Sequence, residues 1–348
     1  MSDKPVTIHD IAEMANASAA TVSRVLSNSS YPVSHDMRRK IRAAAKALNY
    51  TPNMLGRQLK KNNSMTIGVI IPSITNPFYA DVVLGIEEIA RKHGYHVLLC
   101  NSHQNPQLEA EYLQTLLEKQ VKGIIVSSIS RQKDLLQPYL AKGVKIIAMD
   151  QIIDNPDVYQ IGFDYRKGAY MACRYLIGQG HTRIALVTAP LNRPSRISLL
   201  NGYQDAHREA GITPLKAWFQ ESEDSEDISY GSAFEFTNGK LLTRKLLHMA
   251  ERPTAILACN DLTAAGVINE LGEYGIEVPG QISVIGFDNI ELSQMLTPAL
   301  TTVDLPKYEM GRFACSTLMD LLEGNEIRAK EVVLEPELIV RKSAAKLE

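Results

Sequence analysis

Cysteine is scarce in this 348-residue chain, and the four cysteines, Cys100, Cys173, Cys259 and Cys315, lie far apart. None belongs to a C-x-x-C pair or has a histidine at metal-ligand spacing, so the sequence predicts no disulfide framework, metal site or cofactor. No run approaches the roughly 20 apolar residues of a membrane span. The opening stretch MSDKPVTIHD also lacks the apolar core of a secretory signal. We therefore expect a cytoplasmic protein with no membrane partner.

Catalytic signatures are missing as well. The sequence contains no P-loop, no G-x-S-x-G nucleophile motif and no zinc-protease motif. Its eight histidines are scattered along the chain rather than grouped. We expect no catalytic residues, and the protein is predicted not to be an enzyme.

Charge is present but unevenly distributed. The first 63 residues carry ten basic and four acidic side chains, a net charge of +6, while the rest of the chain carries 27 basic and 35 acidic ones. A small basic segment joined to a larger acidic body is typical of a nucleic-acid-binding module with an attached domain. On charge alone, a solvated basic helix face explains the segment equally well.

Three short helices are predicted within the basic segment. Thr7, Ser18 and Ser34 each precede apolar residues at helical spacing, and each has a side-chain oxygen that can cap the helix it begins. Asp10, three residues after Thr7, completes a pattern close to a capping box. Two short helices separated by a tight turn, with a third behind them, indicate a helix-turn-helix headpiece.

From Thr66 onward, apolar strand-like runs alternate with helical patterns. The clearest runs are TIGVII, HVLLC, GIIVSS, KIIAMD, RIALVT, AILACN and ISVIGF. Such alternation predicts parallel sheets covered on both faces by helices. Roughly ten strands are too many for one sheet in a segment of this length. We therefore predict two doubly wound α/β subdomains with a ligand cleft between them.

The stretch from Val6 to Arg57 resembles the headpiece of the lactose/galactose repressor (LacI/GalR) family of bacterial transcriptional regulators. The motifs VTIHDIA, ATVSRVL and LNYTPN carry the resemblance, and IGVIIPSITNPFY, QGHTRIALV, ACND, ISVIGFDN and TPALTTV extend it over the body. It implies a headpiece at 1–51, a hinge at 52–64 and a periplasmic-binding-protein-like effector domain at 65–343. The first subdomain is expected at 65–162 and 305–333, and the second at 163–304 and 334–343.

The resemblance also implies which residues contact DNA. Helix 2 begins after Ser18, and the N-terminal end of a recognition helix faces the major groove. Ordinary helix-surface polarity is the alternative explanation for Thr21 and Ser23. The implied DNA-binding residues are Thr7, Ser18, Ala19, Ala20, Thr21, Ser23, Arg24, Asn28, Tyr50, Asn53, Arg57 and Leu59.

Leu59 matches the leucine that members of the family insert into the minor groove, where an apolar wedge kinks the duplex. The alternative is a linker residue that packs on the body. Gly56 departs from the alanine that is more usual in the family. Because glycine costs about 0.5–1 kcal/mol inside a helix, this departure predicts a weak or shifted hinge helix.

The effector residues are expected at the carboxyl ends of parallel strands, which open onto the crevice. Asp261 could instead cap a helix, Asp288 could form a turn with Asn289, and Phe78 could belong to the core. Leu199 stands where many family members have an arginine, so the sequence does not name the ligand. The predicted effector-binding residues are Ser73, Asn76, Phe78, Asp150, Arg193, Arg196, Asn260 and Asp288.

These features predict a repressor whose affinity for a pseudo-palindromic operator is controlled by a small-molecule effector, most simply a sugar or sugar derivative. The chain lacks the leucine-heptad tail of tetrameric relatives, so a homodimer is expected. Two alternatives remain within the family: a carbon-catabolite regulator with a phosphorylated carrier protein as corepressor, and a reader of purine corepressors. A solute-binding protein without a DNA role is the third alternative.

Overall fold

The computed structural model of the protein describes residues 6–27, 31–50, 64–130, 134–151, 153, 155–222, 232–327 and 329–347. The chain folds into two compact units, residues 1–62 and 63–348. The first unit has helices α1 (Ile8–Ala15), α2 (Ala19–Leu26) and α3 (His35–Ala47). Their shared core consists of small and branched apolar residues, with Ile11, Val22, Val25 and Ile41 fully buried.

The second unit contains two six-stranded sheets, each covered by helices on both faces. The first sheet has the order β11-β5-β4-β3-β1-β2 and the second β12-β10-β9-β8-β6-β7. Described pairs are parallel except β12 with β10. The strands are β1 (Thr66–Ile71), β2 (His96–Asn101), β3 (Gly123–Val126), β4 (Lys145–Met149), β5 (Tyr159–Phe163), β6 (Ile184–Thr188), β7 (Phe219–Glu221), β8 (Ala255–Ala258), β9 (Ser283–Asp288), β10 (Thr301–Asp304), β11 (Glu331–Leu334) and β12 (Glu337–Ile339).

The helices of the second unit connect these strands and pack on the sheets. They are α4 (Pro77–Lys92), α5 (Pro106–Glu118), α6 (Gln137–Leu140), α7 (Tyr165–Gly178), α8 (Pro194–Glu209), α9 (Ser232–Leu247), α10 (Asp261–Glu273), α11 (Leu292–Met295) and α12 (Lys307–Glu323), with a 3₁₀ turn at Lys216–Trp218. Central strands such as β6, β8 and β9 are buried along their whole length. This burial explains their continuous apolar sequence.

The chain passes between the two sheets three times: between β5 and α7, between β10 and α12, and between β11 and β12. Each subdomain therefore combines segments that are distant in sequence. The predicted fold class, a helical headpiece followed by two parallel α/β layers, is confirmed. Because a strand order that reverses in an open parallel sheet creates a crevice at the carboxyl ends, both sheets offer loops to the same cleft.

Candidate functional site

The N-terminal end of α2 is built by side-chain capping. Ser18 Oγ accepts a hydrogen bond from the Thr21 amide at 3.1 Å, and the two hydroxyls lie 2.8 Å apart. In α1, Thr7 and Asp10 form a complete capping box, with both Thr7 donors 2.7 Å from Asp10 Oδ2. These caps fix the start of each helix, and so fix which side chains α2 presents at its first turn.

The predicted DNA-contacting residues of α2 differ in exposure. Ala20 and Arg24 are exposed, Thr21 and Ser23 are half-buried, and Ala19 packs partly against the headpiece core. The Arg24 guanidinium stacks 3.9 Å from the centre of the Tyr31 ring, a contact that sequence reasoning missed. The stacking holds a cation at the end of the helix through an aromatic face.

The other predicted DNA contacts are divided between described and undescribed parts of the chain. Thr7 is exposed and Tyr50 packs partly against the headpiece core. The predictions at Asn28, Asn53, Arg57 and Leu59 lie outside the described residues, as does the departure at Gly56.

In the second unit, loops from both sheets enclose a small polar cavity of about 70 Å³ that opens to solvent. Every predicted effector residue except Ser73 lines it. The lining residues are Asn76, Phe78, Tyr79, Asp150, Gln151, Tyr165, Arg193, Ser195, Arg196, Leu199, Glu235, Cys259, Asn260 and Asp288.

Ser73 is the exception, because it is not among the residues that line the cavity. It is buried, and its Oγ lies 3.0 Å from the Thr75 hydroxyl within the loop after β1. That loop turns Ser73 inward and brings Asn76, at the start of α4, to the cavity instead.

Asp150 follows β4 and is surrounded by donors. Its Oδ2 accepts hydrogen bonds from Tyr79 Oη and Gln151 Nε2, both at 2.9 Å, and from Ser127 Oγ at 3.3 Å, while Tyr165 Oη donates to Oδ1. Burial, with the Asp150 charge as the next cause, raises the pKa of both tyrosines above the usual value, so both remain donors. Most of this carboxylate's capacity to accept is therefore used by the protein.

Asp288 lies at the end of β9 with a backbone φ of 103°. Among the described residues no hydrogen bond to its carboxylate is found, so its oxygens are open to the cavity. Burial, followed by repulsion from Asp261, raises its pKa well above the usual range. Its backbone carbonyl instead accepts from the buried Lys307 Nζ.

The two asparagines of the cavity cap helices. Asn76 Oδ1 accepts from the Phe78 amide at 3.0 Å, and Asn260 Oδ1 accepts from the Thr263 amide at 2.8 Å. Asn260, rather than Asp261, therefore caps α10. Each oxygen keeps one lone pair, and the amide nitrogens can donate, so these side chains can offer a ligand both kinds of hydrogen bond.

Two arginines stand at the beginning of α8. Arg193 donates a hydrogen bond to Gln104 of the first subdomain, whereas Arg196 is buried and donates to the Pro190 carbonyl at 2.9 Å. Arg196 Nη2 also lies 3.5 Å from Glu235 Oε1. Burial is the largest cause that lowers the pKa of Arg196, with the charge of Arg193 next. Arg196 is thus held by protein acceptors, while Arg193 reaches across the cleft.

Sequence reasoning missed several lining residues. Gln151 directly follows Asp150 at a strand end, which is a signal that could have found it. Ser195 and Glu235 lie on helices, where no local pattern separates a lining residue from a surface residue. Leu199 is buried and lines the cavity. The cavity therefore has an apolar side chain at the position where many family members have an arginine.

Within the described ranges, the side chains form no group of three or more His, Cys, Asp or Glu suited to a metal ion. None of the helices in those ranges is long and apolar enough to cross a bilayer.

Comparisons with known proteins agree with both units. Residues 7–53 match the model for bacterial regulatory proteins of the lacI family, and residues 173–344 match the periplasmic binding protein-like domain. The chain is 34% identical to the HTH-type transcriptional repressor PurR of Photobacterium profundum, over 98% of this chain and 99% of the relative. It is 35% identical to the ribose operon repressor of Escherichia coli (strain K12), over 97% and 99%.

Solved structures give the same result. The Lac repressor dimer bound to operator and the anti-inducer ONPF aligns with a TM-score of 0.85 at 28% identity, covering 98% of this chain and all of that one. A LacI family regulator from Enterococcus faecium with bound ribose aligns with a TM-score of 0.72 at 30% identity, covering 81% of this chain and all of that one.

Proposed function

This chain belongs to the lacI family of bacterial regulatory proteins, and from that membership we propose that a small neutral sugar, bound between its subdomains, controls its affinity for operator DNA. The protein is a DNA-binding repressor with an effector domain and is not an enzyme. What is proposed is the class of effector, its site and its coupling to DNA.

The observation that carries the sugar proposal is the mixture of hydrogen-bonding groups in one small cavity. The open carboxylate of Asp288 accepts, Arg193 and the amide nitrogen of Asn260 donate, and the rings of Phe78 and Tyr165 provide apolar faces. A hydroxyl both donates and accepts, so a compact polyol satisfies such a site from many directions.

In the proposed mechanism, a homodimer places two headpieces (1–51) over a pseudo-palindromic operator, and the hinge (52–64) with Leu59 follows the resemblance to the family. The effector domain (65–343) responds to ligand by changing the angle between its subdomains. Ligand changes operator affinity only to the extent that it binds the two arrangements differently.

A purine base is the second candidate, favoured by the aromatic side chains of the cavity and by the 34% identity to a PurR relative. A thermal-shift screen with D-ribose, hexoses, sugar phosphates, hypoxanthine and guanine separates the two. At a hundredfold excess over Kd, a ligand stabilises its domain by about 2.7 kcal/mol. Stabilisation by a neutral sugar, with changed affinity for selected operator DNA, supports the proposal, and stabilisation by bases alone supports the second candidate.

A further inference from the structure

We propose that Gln151 selects the effector, because its Oε1 accepts a hydrogen bond from a ligand hydroxyl that the protein itself does not supply. The proposal rests on the proposed sugar effector and adds one residue and one directed contact to it. Gln151 follows β4, is 5% exposed and lines the cavity.

The orientation of the Gln151 amide is fixed by its neighbours. Its Nε2 donates to Asp150 Oδ2 at 2.9 Å and to Ser195 Oγ at 3.1 Å. Because an ionised carboxylate only accepts, the amide nitrogen and not the oxygen has to face Asp150. The position of Oε1 follows from this arrangement.

Gln151 Oε1 is buried and has no hydrogen-bond partner among the described residues. A buried acceptor without a donor is unfavourable, and such atoms are uncommon in folded proteins. Gln151 lines the effector cavity, and Oε1 is the polar atom of its side chain that has no partner there. A ligand hydroxyl in the cavity therefore gains a bond there without displacing one already made.

The same side chain joins the two walls of the cleft. Gln151 belongs to the first subdomain and Ser195 to α8 of the second, so their hydrogen bond crosses between them. A ligand held by Oε1 is thus bound best when the cleft is closed over it. This gives the ligand the unequal affinity for open and closed arrangements that control of DNA binding requires.

The test titrates the full-length protein with D-ribose and with its 2-, 3- and 5-deoxy analogues by calorimetry. Gln151→Met keeps the size of the side chain and removes the acceptor together with the two hydrogen bonds that Nε2 donates. We expect about tenfold weaker ribose binding, equivalent to 1.4 kcal/mol. For the wild type, one deoxy analogue should bind more weakly than ribose. For Gln151→Met, the same analogue and ribose should bind with equal affinity. The proposal is overturned if the two proteins bind ribose with equal affinity. It is also overturned if every deoxy analogue loses as much affinity, relative to ribose, in the variant as in the wild type.

Ser195→Ala is the matched control, because it removes the cross-cleft bond and leaves Oε1 in place. We expect a smaller loss of ribose affinity than in Gln151→Met. A residue that only tethers the subdomains predicts equal losses in the two variants, and that result contradicts selection by Oε1.

If the wild type does not bind ribose but binds guanine, the proposed effector class is wrong. Titration of the same variants with guanine then decides the role of Gln151. If neither compound binds, the unliganded proteins decide it. A melting temperature of Gln151→Met within about 2 °C of the wild type agrees with a side chain kept for ligand. A larger fall, matched by Ser195→Ala, assigns Gln151 a structural role instead.

Discussion

Gly85 of α4 and Gly311 of α12 lie where these two helices cross with their backbones in contact. A Cβ built on Gly85 would lie 2.1 Å from the Tyr308 carbonyl oxygen, and one on Gly311 would lie 2.0 Å from that of Val82. Contacts this short are impossible, and backbone atoms cannot move aside as a flexible side chain can. The two glycines thus allow α12, which enters from the second sheet, to rest directly on α4.

We therefore expect Gly311→Ala to destabilise the effector domain by about 2–3 kcal/mol, because the added methyl forces the helices apart. Urea unfolding followed by circular dichroism measures the change. Gly272→Ala is the control, since Gly272 lies in α10 with nothing within 4 Å of its would-be Cβ. That variant should be neutral or more stable by about 0.5–1 kcal/mol. Equal effects of the two substitutions would contradict the close crossing.

A second prediction concerns pH. Asp261 is buried, and burial raises its pKa to about 7 although Ile290 N and Thr302 Oγ1 donate to it at 2.8 and 2.5 Å. In the unfolded chain its pKa is about 3.9. Between about pH 4 and pH 7, the folded protein therefore holds a proton on Asp261 that the unfolded chain has lost. The stability that this proton contributes is fully present below about pH 4 and is lost as the pH rises through 7.

Asp261→Asn imitates the protonated acid, because its amide oxygen can accept from Ile290 and its amide nitrogen can donate to Thr302. We expect this variant to be more stable than the wild type at pH 8 and to lose less stability between pH 5 and 8. Urea midpoints at the two pH values measure it. The prediction is contradicted if the urea midpoint of the wild type rises from pH 5 to pH 8 and that of Asp261→Asn changes with pH to the same extent.

The caps of the headpiece give a third prediction. Ser18→Ala and Ser34→Ala each remove one side-chain cap, and each should destabilise the headpiece by about 1 kcal/mol. Only Ser18 begins the helix proposed to enter the major groove. At a temperature where both variants are folded, affinity for DNA selected from a random pool by the wild type should fall more in Ser18→Ala. Similar losses in both would place the recognition surface elsewhere.

The fourth prediction follows from the family resemblance at Leu59. Leu59→Ala should weaken binding to selected operator DNA far more than binding to random DNA, because a minor-groove wedge acts at one kinked step. Effector affinity should stay the same. Competition binding at one fixed salt concentration measures both DNA affinities. Equal losses on operator and random DNA would mean that Leu59 is not a wedge.

The sequence predicted most of the central strands because they are buried on both faces and read as continuous apolar runs. Its named runs leave out the interior strands β5 and β10, which contain polar residues, and the edge strands β7, β11 and β12, which are partly exposed and only three or four residues long. An edge strand has one neighbour and one solvated side, so it needs no such run. Its position depends on pairing with residues far away in the chain.

The site was predictable where strand ends determine it, as at Asp150, Asn260 and Asp288. It was not predictable where a loop decides the direction of a side chain, as at Ser73, whose hydroxyl turns to Thr75. Nor could sequence show that the oxygens of Asp150 are already occupied by tyrosine and glutamine donors. That property depends on side chains that come together only after folding.

The strands β11 and β12 are separated by Glu335 and Pro336 alone, yet they complete different sheets. During translation, both subdomains therefore remain without an edge strand until the same short stretch leaves the ribosome. At about 5–20 residues per second, the earlier strands wait many seconds in an unfinished state. A nascent chain that stops before residue 330 thus leaves β5 and β10 unpaired along one edge each, in both sheets at once.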